Sequence, residues 1–501
     1  MTNYTSKAVK GASVVLVFSA MASVIGYLTR MVLARSLTPA EYGLFYAVFT
    51  FVIFFLFFRD LGLGAALVKY ASEWRALKKF NEIKTAIAFV FLVQLGSSIV
   101  IGTIFFFLSD YLSQHYFKDP QAAAILKILI FYLFFSILFI ITKQIFQSFQ
   151  KMFLYATVEF MKNMVVLASV VLFLMLGFNA LAPAFAFAFV GVVLFILYFP
   201  HLLKISNLSK YRMTEFSPIS KKLIGFGIPV LVTDVGAQII GYIDTLILTH
   251  YRSLAEVGIY NVVLPSALML VFFSKSVAAV AFPLVSELWA KNEKKKLAQG
   301  IGLVLKYSYI FLLPVISTGI VFSSFFISFF FGDEYASGSV ALQILLLGVF
   351  VYIATSANNS SLSGIGKPKI VTGIILFAAA INTVLNLLLV PRFGINGSAF
   401  ATMISYLFMS VISTYMVIKH LGVKSPFRDW LVFIIPGGLF YLIQSFSEIM
   451  LALNPWVEIF ISIVFAGSLY VISLKFLRII DLQELKKIIR IIKRGKNEPE
   501  N

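Results

Sequence analysis

The sequence has no cysteine, only four histidines, and few charged residues, which make up 13% of its 501 positions. The lack of cysteine excludes disulfide bonds, thiolate metal sites and cysteine nucleophiles. The histidines are scattered without metal-ligand spacing, and no glycine-rich loop ending in Gly-Lys-Ser or Gly-Lys-Thr is present to hold ATP phosphates. From the sequence we therefore expect no catalytic motif, no cofactor and no metal.

Apolar residues dominate the composition, at 60% of the chain, where soluble proteins average roughly half. Apolar runs of about 20 residues, the length that crosses a ~30 Å hydrocarbon core, recur along the sequence. They lack the period-2 alternation of barrel strands. The pattern predicts an all-α polytopic membrane protein with about fourteen transmembrane helices. The predicted spans centre on Gly11–Leu33, Gly43–Val68, Ile83–Leu108, Ala122–Ile141, Phe153–Gly177, Leu181–Phe199, Leu223–Leu248, Val257–Val285, Ile301–Phe325, Ser339–Ser361, Val371–Leu389, Gly397–Ile418, Leu431–Ile449 and Pro455–Leu474.

Lysine and arginine are distributed unevenly between the two sides of these spans. The side that holds both termini carries 31 of them, and the opposite side carries 5. The positive-inside rule therefore predicts a multi-pass protein of the cytoplasmic membrane with both termini in the cytoplasm. The net charge of +19 is explained by this loop bias, so we expect no nucleic-acid partner.

The sequence repeats itself with an offset of 215 residues. AEYGLFYAV at Ala40–Val48 returns as AEVGIYNVV at Ala255–Val263. The offset covers six predicted helices, and an even number inserts both copies the same way up, so two pseudo-symmetric six-helix lobes should be related by an axis along the membrane normal. The predicted organisation is an N-lobe at 1–203, a cytoplasmic linker at 204–222, a C-lobe at 223–420, two further spans at 421–478 and a basic tail at 479–501.

Several basic residues lie inside the predicted spans. Arg59 is near the centre of the second span, where a charge costs on the order of 3 kcal/mol. Lys275 has a matching depth in the eighth span, and Arg30 lies in the outer part of the first. We predict that these three residues line a cavity between the lobes and bind an anionic substrate, because guanidinium binds phosphate bidentately. The alternative is a structural role, in an ion pair or with the side chain extended toward the membrane surface. This structural role stays open for Arg30, and extension toward the surface (snorkelling) is favoured for Lys127, Lys162 and Lys306.

Four carboxylates also lie in or beside the apolar spans. Buried carboxylates in transporters bind coupling ions, but they can equally pair with nearby basic residues. The sequence leaves both roles open for this set, which consists of Asp60, Glu159, Asp234 and Asp244.

The basic tail contains the segment DLQELKKIIRIIKRGK at Asp481–Lys496, in which isoleucine pairs alternate with basic pairs. This pattern is typical of an amphipathic helix on anionic membrane lipids. An ordinary solvated basic tail is the alternative.

Three motifs resemble those of the polysaccharide biosynthesis/export family. RSLTPAEYG at Arg35–Gly43 is similar to the family signature RxLxxxEYG. Tyr242–Thr245 followed by Ala255–Tyr260 resembles its second-lobe version, and Pro391–Ala399 resembles the entry to the twelfth helix. The family belongs to the multidrug/oligosaccharidyl-lipid/polysaccharide transporter superfamily, which includes multidrug antiporters and lipid II flippases.

The resemblance implies a flippase that moves a polyprenyl-(pyro)phosphate-linked oligosaccharide from the inner to the outer leaflet by alternating access. It implies a V-shaped cavity lined by basic residues, glycan-assembly enzymes as partners, and a lipid groove at the last two helices. Two alternatives remain. A multidrug antiporter shares the twelve-helix plan, but it would be expected to line its cavity with carboxylates. A membrane glycan polymerase would need catalytic residues in a large outer loop, and the longest outer loop, 109–121, is short.

Overall fold

The computed structural model describes residues 2–206, 210–271, 285–422, 427–450, 454–477 and 479, and this part of the chain is almost entirely helical. The predicted all-α class is confirmed. The helices are α1 (Thr2–Ser36), α2 (Pro39–Asp60), α3 (Leu63–Ala76), α4 (Phe80–Leu112), α5 (Gln121–Ser148), α6 (Met152–Met175), α7 (Ala182–Ser206), α8 (Phe216–Tyr251), α9 (Leu254–Leu268), α10 (Lys294–Val321), α11 (Ser323–Phe331), α12 (Ser339–Gly364), α13 (Pro368–Leu421), α14 (Phe427–Met450) and α15 (Pro455–Phe476).

Ten of the described helices are long and apolar enough to cross a membrane, and helix α8, which bends by 44°, brings the number to eleven. The chain is therefore a multi-pass membrane protein. The predicted number of fourteen spans is not confirmed. One reason is that α13 covers two predicted spans, which meet at Gly394, a residue with non-helical dihedral angles (φ 56°, ψ −134°). Another is that the predicted eighth span runs from α9 into residues 272–284, outside the described part.

The predicted second span is broken into α2 and α3. Leu61 and Gly62 both have left-handed φ angles, 49° and 70°, which end α2 and start α3. A Cβ atom on Gly62 would lie 2.1 Å from the carbonyl oxygen of Gly227 on α8, so glycine is required there. The carboxylate of Asp60 accepts a hydrogen bond from the Gly64 amide at 3.2 Å. Asp60 thereby satisfies one of the amides left free at the start of α3.

The repeated motif marks the first turns of two equivalent helices. At the start of α2, Thr38 and Glu41 form a capping box, in which each side chain bonds the other's backbone amide. At the start of α9, Ser253 caps the amide of Glu256. The glycine two residues beyond each glutamate then lies where α2 and α9 cross. The repeat therefore encodes a helix start followed by a close helix crossing.

Contacts between the predicted lobes lie at both ends of the bundle. On the side that the charge count assigns to the cytoplasm, Gly62 packs against α8, and the ring centroids of Tyr70 on α3 and Phe226 on α8 are 6.0 Å apart. The following contacts lie toward the predicted outer side. The hydroxyl groups of Tyr27 on α1 and Ser266 on α9 are 3.0 Å apart. Tyr116 donates to the carbonyl of Leu246 at 2.7 Å. Further bonds across the same end run from Arg35 to the carbonyls of Phe329 and Phe330 and from Lys118 to the carbonyl of His250.

Candidate functional site

Arg30 lies where α1 and α2 of the N-lobe meet α9 of the C-lobe. Its Nη1 donates to the carbonyl oxygen of Asn261 at 2.9 Å, and its guanidinium lies 4.3 Å from the ring centroid of Tyr46. Tyr242 of α8 is within electrostatic range. Among the described residues, no carboxylate is within salt-bridge distance of Arg30. The positive charge is therefore uncompensated at the contact between the lobes, where an anion would be attracted to it.

Arg59 is enclosed within the N-lobe, with 1% of its surface exposed. Its Nη1 donates to the carbonyl oxygen of Leu133 at 2.5 Å and to Ser136 Oγ at 2.8 Å, both on α5. Its Nε has no partner. The guanidinium thus links α2 to α5 within the N-lobe. Direct contact with substrate, which the sequence predicted for Arg59, stays a prediction.

The other basic residue of the predicted pair, Lys275, lies outside the described residues, as does the predicted amphipathic segment at 481–496. Arg30 and Arg59 are therefore the two predicted cavity residues whose surroundings are described. They occupy different positions, since Arg30 hydrogen-bonds to the C-lobe, whereas the hydrogen bonds described for Arg59 are to α5 of the N-lobe.

Asp60 does not form a salt bridge with its neighbour Arg59. Its carboxylate instead accepts from Gln94 Nε2 on α4 at 2.5 Å and from the amide at the start of α3. Asp234 is exposed on α8 and within electrostatic range of Asp60. Of the two roles that the sequence left open for Asp60, the contacts favour a structural one, as a helix cap.

Asp244 on α8 is buried, with 1% of its surface exposed, and it accepts three hydrogen bonds from neutral side chains. The Tyr260 hydroxyl donates to its Oδ2 at 2.6 Å, the Thr402 hydroxyl donates to the same oxygen at 2.6 Å, and Asn386 Nδ2 donates to Oδ1 at 2.7 Å. Among the described residues, no basic side chain is within salt-bridge distance. Structural pairing with a cation from the protein is therefore not observed for Asp244.

The side chain of Asn382 adds a second oxygen to this group. Its Oδ1 is buried without a hydrogen-bond partner, while its Nδ2 lies 3.3 Å from Thr402 Oγ1. Carboxylate, amide and hydroxyl oxygens are ligands of hard cations. In the described state Asn386 and Thr402 donate to the carboxylate. The Asp244 site, formed by Asp244, Asn382, Asn386 and Thr402, therefore has a buried carboxylate that a proton would neutralise.

Glu159 on α6 lies between two lysines. Lys143 Nζ on α5 is 2.8 Å from Glu159 Oε2, and Lys162 pairs with Glu159 Oε1. Lys162 thus forms an ion pair within the bundle rather than the snorkelling arrangement favoured from the sequence. The spacing of Glu159 and Lys162, three residues apart on one helix, could have indicated their pairing. Lys143 was not predicted as an interior cation, because it lies just beyond the predicted span Ala122–Ile141, in what the sequence indicates is a loop.

An apolar pocket of about 580 Å³ lies between the C-lobe and the last two helices. Helices α10, α11, α14 and α15 form its walls, and Tyr27 of α1 reaches it from the N-lobe. Its lining is almost entirely hydrocarbon. The residues that line the pocket include Tyr27, Thr318, Phe330, Phe440, Gly467 and Tyr470.

Two family models match the chain. The model described as polysaccharide biosynthesis protein matches residues 8–289, and the model described as MatE matches residues 229–388. The first match covers nearly all of the predicted N-lobe and the first third of the predicted C-lobe, including both copies of the repeated motif.

Relatives with similar sequences include an uncharacterized membrane protein of Methanocaldococcus jannaschii, 29% identical over 98% of this chain and 100% of that protein. A probable low-salt glycan biosynthesis flippase of Haloferax volcanii is 22% identical over 54% of this chain and 58% of its own length. Among solved structures, the lipid II flippase MurJ in an inward closed conformation has a TM-score of 0.76 at 18% identity, over 92% of this chain and 99% of that one. An inward-facing multidrug resistance MATE family transporter has a TM-score of 0.65 at 14% identity, over 82% and 99%.

Proposed function

Because this chain belongs to the polysaccharide biosynthesis protein family, we propose that it is a flippase for a polyprenyl-(pyro)phosphate-linked oligosaccharide. It moves this lipid from the inner to the outer leaflet of the cytoplasmic membrane, for cell-surface polysaccharide or glycan assembly. The observation that carries the proposal is the uncompensated charge of Arg30 at the contact between the lobes. The names of the flippase relatives support it.

The physical problem is the transfer of a polar headgroup through hydrocarbon. Sugar hydroxyls and phosphate oxygens without partners cost several kcal/mol each in the membrane interior. A cavity between the lobes supplies water, hydrogen bonds and positive charge while the polyprenyl chain stays in an apolar environment. Arg30 binds the phosphate group, and Lys275 contributes a second charge from the C-lobe. Arg59 holds α5 in place behind the cavity wall.

Rocking of the lobes exchanges access between the two sides. Outward access requires the contacts at the predicted outer end to separate, and inward access requires the contacts of α8 with α3 near the predicted cytoplasmic end to separate. With the termini in the cytoplasm, an inside-negative potential favours outward movement of an anion by ~2.3 kcal/mol per charge per 100 mV. The membrane potential can therefore drive the proposed export without ATP.

The apolar pocket suits part of the polyprenyl chain. Its mostly aromatic and aliphatic lining offers few hydrogen-bonding groups for a sugar, whereas each methylene buried there gains about 0.8 kcal/mol. The pocket also contacts α1, which carries Arg30. A lipid chain in the pocket and a phosphate at Arg30 would therefore belong to one substrate molecule.

The Asp244 site is the best candidate for a coupling ion. Its carboxylate is buried without a protein cation, and Asn382 Oδ1 faces no donor. A proton or a sodium ion would neutralise the carboxylate. The site joins α8 and both halves of α13, so ion binding there would change how these C-lobe segments pack together.

The two alternative functions, a multidrug antiporter and a glycan polymerase, would each need chemical groups that differ from those described. A multidrug antiporter for organic cations would need an excess of carboxylates between the lobes, and the described lobe contact instead holds Arg30, with two lysines against one glutamate on α5 and α6 of the N-lobe. A glycan polymerase would need catalytic groups outside the membrane. The described outer segment at Ser113–Phe117 is a single helical turn next to α4.

The proposal is tested in proteoliposomes with a fluorescent polyprenyl-diphosphate oligosaccharide, whose outward movement is read by a membrane-impermeant quencher. We expect the wild-type chain to flip the lipid and Arg30→Ala and Lys275→Ala to reduce the rate at least tenfold. Complementation of a strain that lacks its glycan flippase is the matching test in cells. Transport of organic cations without lipid flipping would contradict the proposal and support the antiporter.

A further inference from the structure

Lys143, Glu159 and Lys162 form a charged group that we call the lysine–glutamate cluster. Each oxygen of the Glu159 carboxylate pairs with one ammonium group. The side chains of Lys143, Glu159 and Lys162 are 26%, 33% and 19% exposed. A ligand can therefore reach the cluster, although it lies within apolar helices.

The cluster holds more positive than negative charge. Two ammonium groups face one carboxylate, and among the described residues no second carboxylate is within salt-bridge distance of either lysine. An unpaired charge inside a membrane protein is costly, so the cluster as described would attract a further anion.

The cluster lies beside the helix that carries Arg30, because Asn163, which follows Lys162 on α6, donates to the carbonyl oxygen of Ala22 on α1 at 2.7 Å. Tyr242 of α8, a C-lobe residue, is within electrostatic range of both Lys162 and Arg30. Tyr132 of α5 is within range of both Glu159 and Tyr242. Lys143 lies five residues before the end of α5, and Glu159 and Lys162 lie in the second and third turns of α6. By the predicted orientation, the cluster is therefore nearer the cytoplasmic side and Arg30 is nearer the outer side.

We propose that Glu159 is an internal counter-anion that holds the place of a phosphate group. In the empty carrier its carboxylate bridges Lys143 and Lys162. When the lipid substrate enters, its phosphate group replaces Glu159 as the binding partner of the two lysines, since phosphate oxygens accept charge-assisted hydrogen bonds from ammonium groups. The inference rests on the proposed flippase function and names the phosphate-binding residues at the cytoplasmic entrance.

The exchange explains how the carrier can return empty. Without Glu159, two ammonium groups would lose their partner each time the cargo leaves, and unpaired buried charges are strongly unfavourable. With Glu159, the lysines are paired in both the loaded and the empty state. Glu159 therefore competes with the cargo for binding and supports turnover.

The test measures binding of farnesyl diphosphate to the purified full-length protein in detergent by calorimetry. The cluster's formal charge is +1 in the wild type, +2 in Glu159→Gln, 0 in Lys143→Met and again +1 in the double variant. We expect Glu159→Gln to bind about tenfold tighter and Lys143→Met about tenfold weaker, with the double variant close to the wild type. Asp110→Asn, which breaks the exposed Lys127–Asp110 pair, is the control and should not change binding.

Flipping assays in proteoliposomes separate this role from a structural one. Glu159→Gln should bind more tightly yet flip lipid more slowly, because its empty form returns poorly. Equal losses of affinity and rate would overturn the inference. Inorganic pyrophosphate should show the same dependence on Glu159, and farnesol should show none; a Glu159-dependent affinity for farnesol would also overturn it. If wild-type protein flips lipid but Glu159→Gln leaves affinity unchanged, this inference fails alone, whereas a wild type that does not flip contradicts the proposed function.

Discussion

Gly43 and Gly258, which are equivalent positions of the repeat, pack against each other where α2 crosses α9. A Cβ atom on Gly43 would lie 1.8 Å from the carbonyl oxygen of Leu254 and 2.7 Å from the Gly258 amide nitrogen. A Cβ atom on Gly258 would lie 2.1 Å from the carbonyl oxygen of Pro39. Backbone therefore meets backbone at the predicted outer end, and the two lobes close there through the same motif.

Gly258→Ala should weaken this closure. The added methyl group cannot fit without separating α2 from α9, and overpacking of this kind typically costs about 1–3 kcal/mol. We expect a lower melting temperature and easier opening of the outer end. Because the chain has no cysteine, a single Ser266→Cys reporter, beside Tyr27 at the lobe contact, can be labelled with an impermeant maleimide to measure the opening.

Gly96→Ala is the matched control for this substitution, because a Cβ atom at Gly96 would meet nothing within 4 Å. It should leave both the melting temperature and the labelling rate close to those of the parent. If Gly258→Ala also leaves the labelling rate unchanged, the crossing of α2 and α9 is not the outer closure.

Asp244→Asn should abolish the dependence of flipping on an ion gradient. Asparagine keeps the shape of the side chain but removes the charge, and its NH2 group would face either Asn386 Nδ2 or the donating hydroxyls of Tyr260 and Thr402. We expect a stability loss of about 1–3 kcal/mol from the resulting donor–donor contact. The measurement is the flipping rate in proteoliposomes with and without a sodium or proton gradient.

The exposed residue Asp333, at the start of a short turn before α12, provides the control Asp333→Asn. This variant should retain any gradient dependence of the wild type. A gradient-dependent rate that survives in Asp244→Asn would assign the coupling to another group.

Arg59→Met should impair flipping less than Arg30→Met does. Arg59 is 1% exposed and bonds only to α5, and removing a buried charge without a carboxylate partner relieves a desolvation cost that offsets the lost hydrogen bonds. We expect a rate within about threefold of the wild type for Arg59→Met and a loss of about tenfold or more for Arg30→Met, which equals at least 1.4 kcal/mol. Comparable losses in both variants would place Arg59 in direct contact with substrate.

Hydropathy predicted the membrane class and the all-α fold correctly, because these depend on local patterns. The 215-residue offset even pairs the two glycines that touch. The break between α2 and α3 was missed, since Gly62 in an apolar run gives no local sign of the close approach by Gly227. The depth of Arg59 in its predicted span likewise did not indicate how much of its side chain is exposed, because burial depends on which helices surround a residue.

The contacts at the site that the sequence did not predict are made between residues that are distant in sequence. Asp244 gains its partners from α9 and α13, up to 158 residues away, and no spacing rule connects them. Glu159 and Lys162 could be paired from their spacing, but Lys143 comes from another helix. The sequence could therefore name the charged groups of the interior but not which of them share a site.

Gly467→Phe should block the apolar pocket and slow the flipping of long-chain lipid. Gly467 lines the pocket, and a Cβ atom there would meet nothing within 4 Å, so the phenyl ring can enter the open volume without displacing backbone. If the polyprenyl chain occupies this space, the ring competes with it, and the rate for a long polyprenyl substrate should fall more than the rate for a farnesyl analogue. Gly438→Phe on α14 is the control, because Gly438 also has open space around its Cβ position but does not line the pocket. Equal rates for both chain lengths in Gly467→Phe, with an unchanged melting temperature, would show that the lipid chain travels elsewhere.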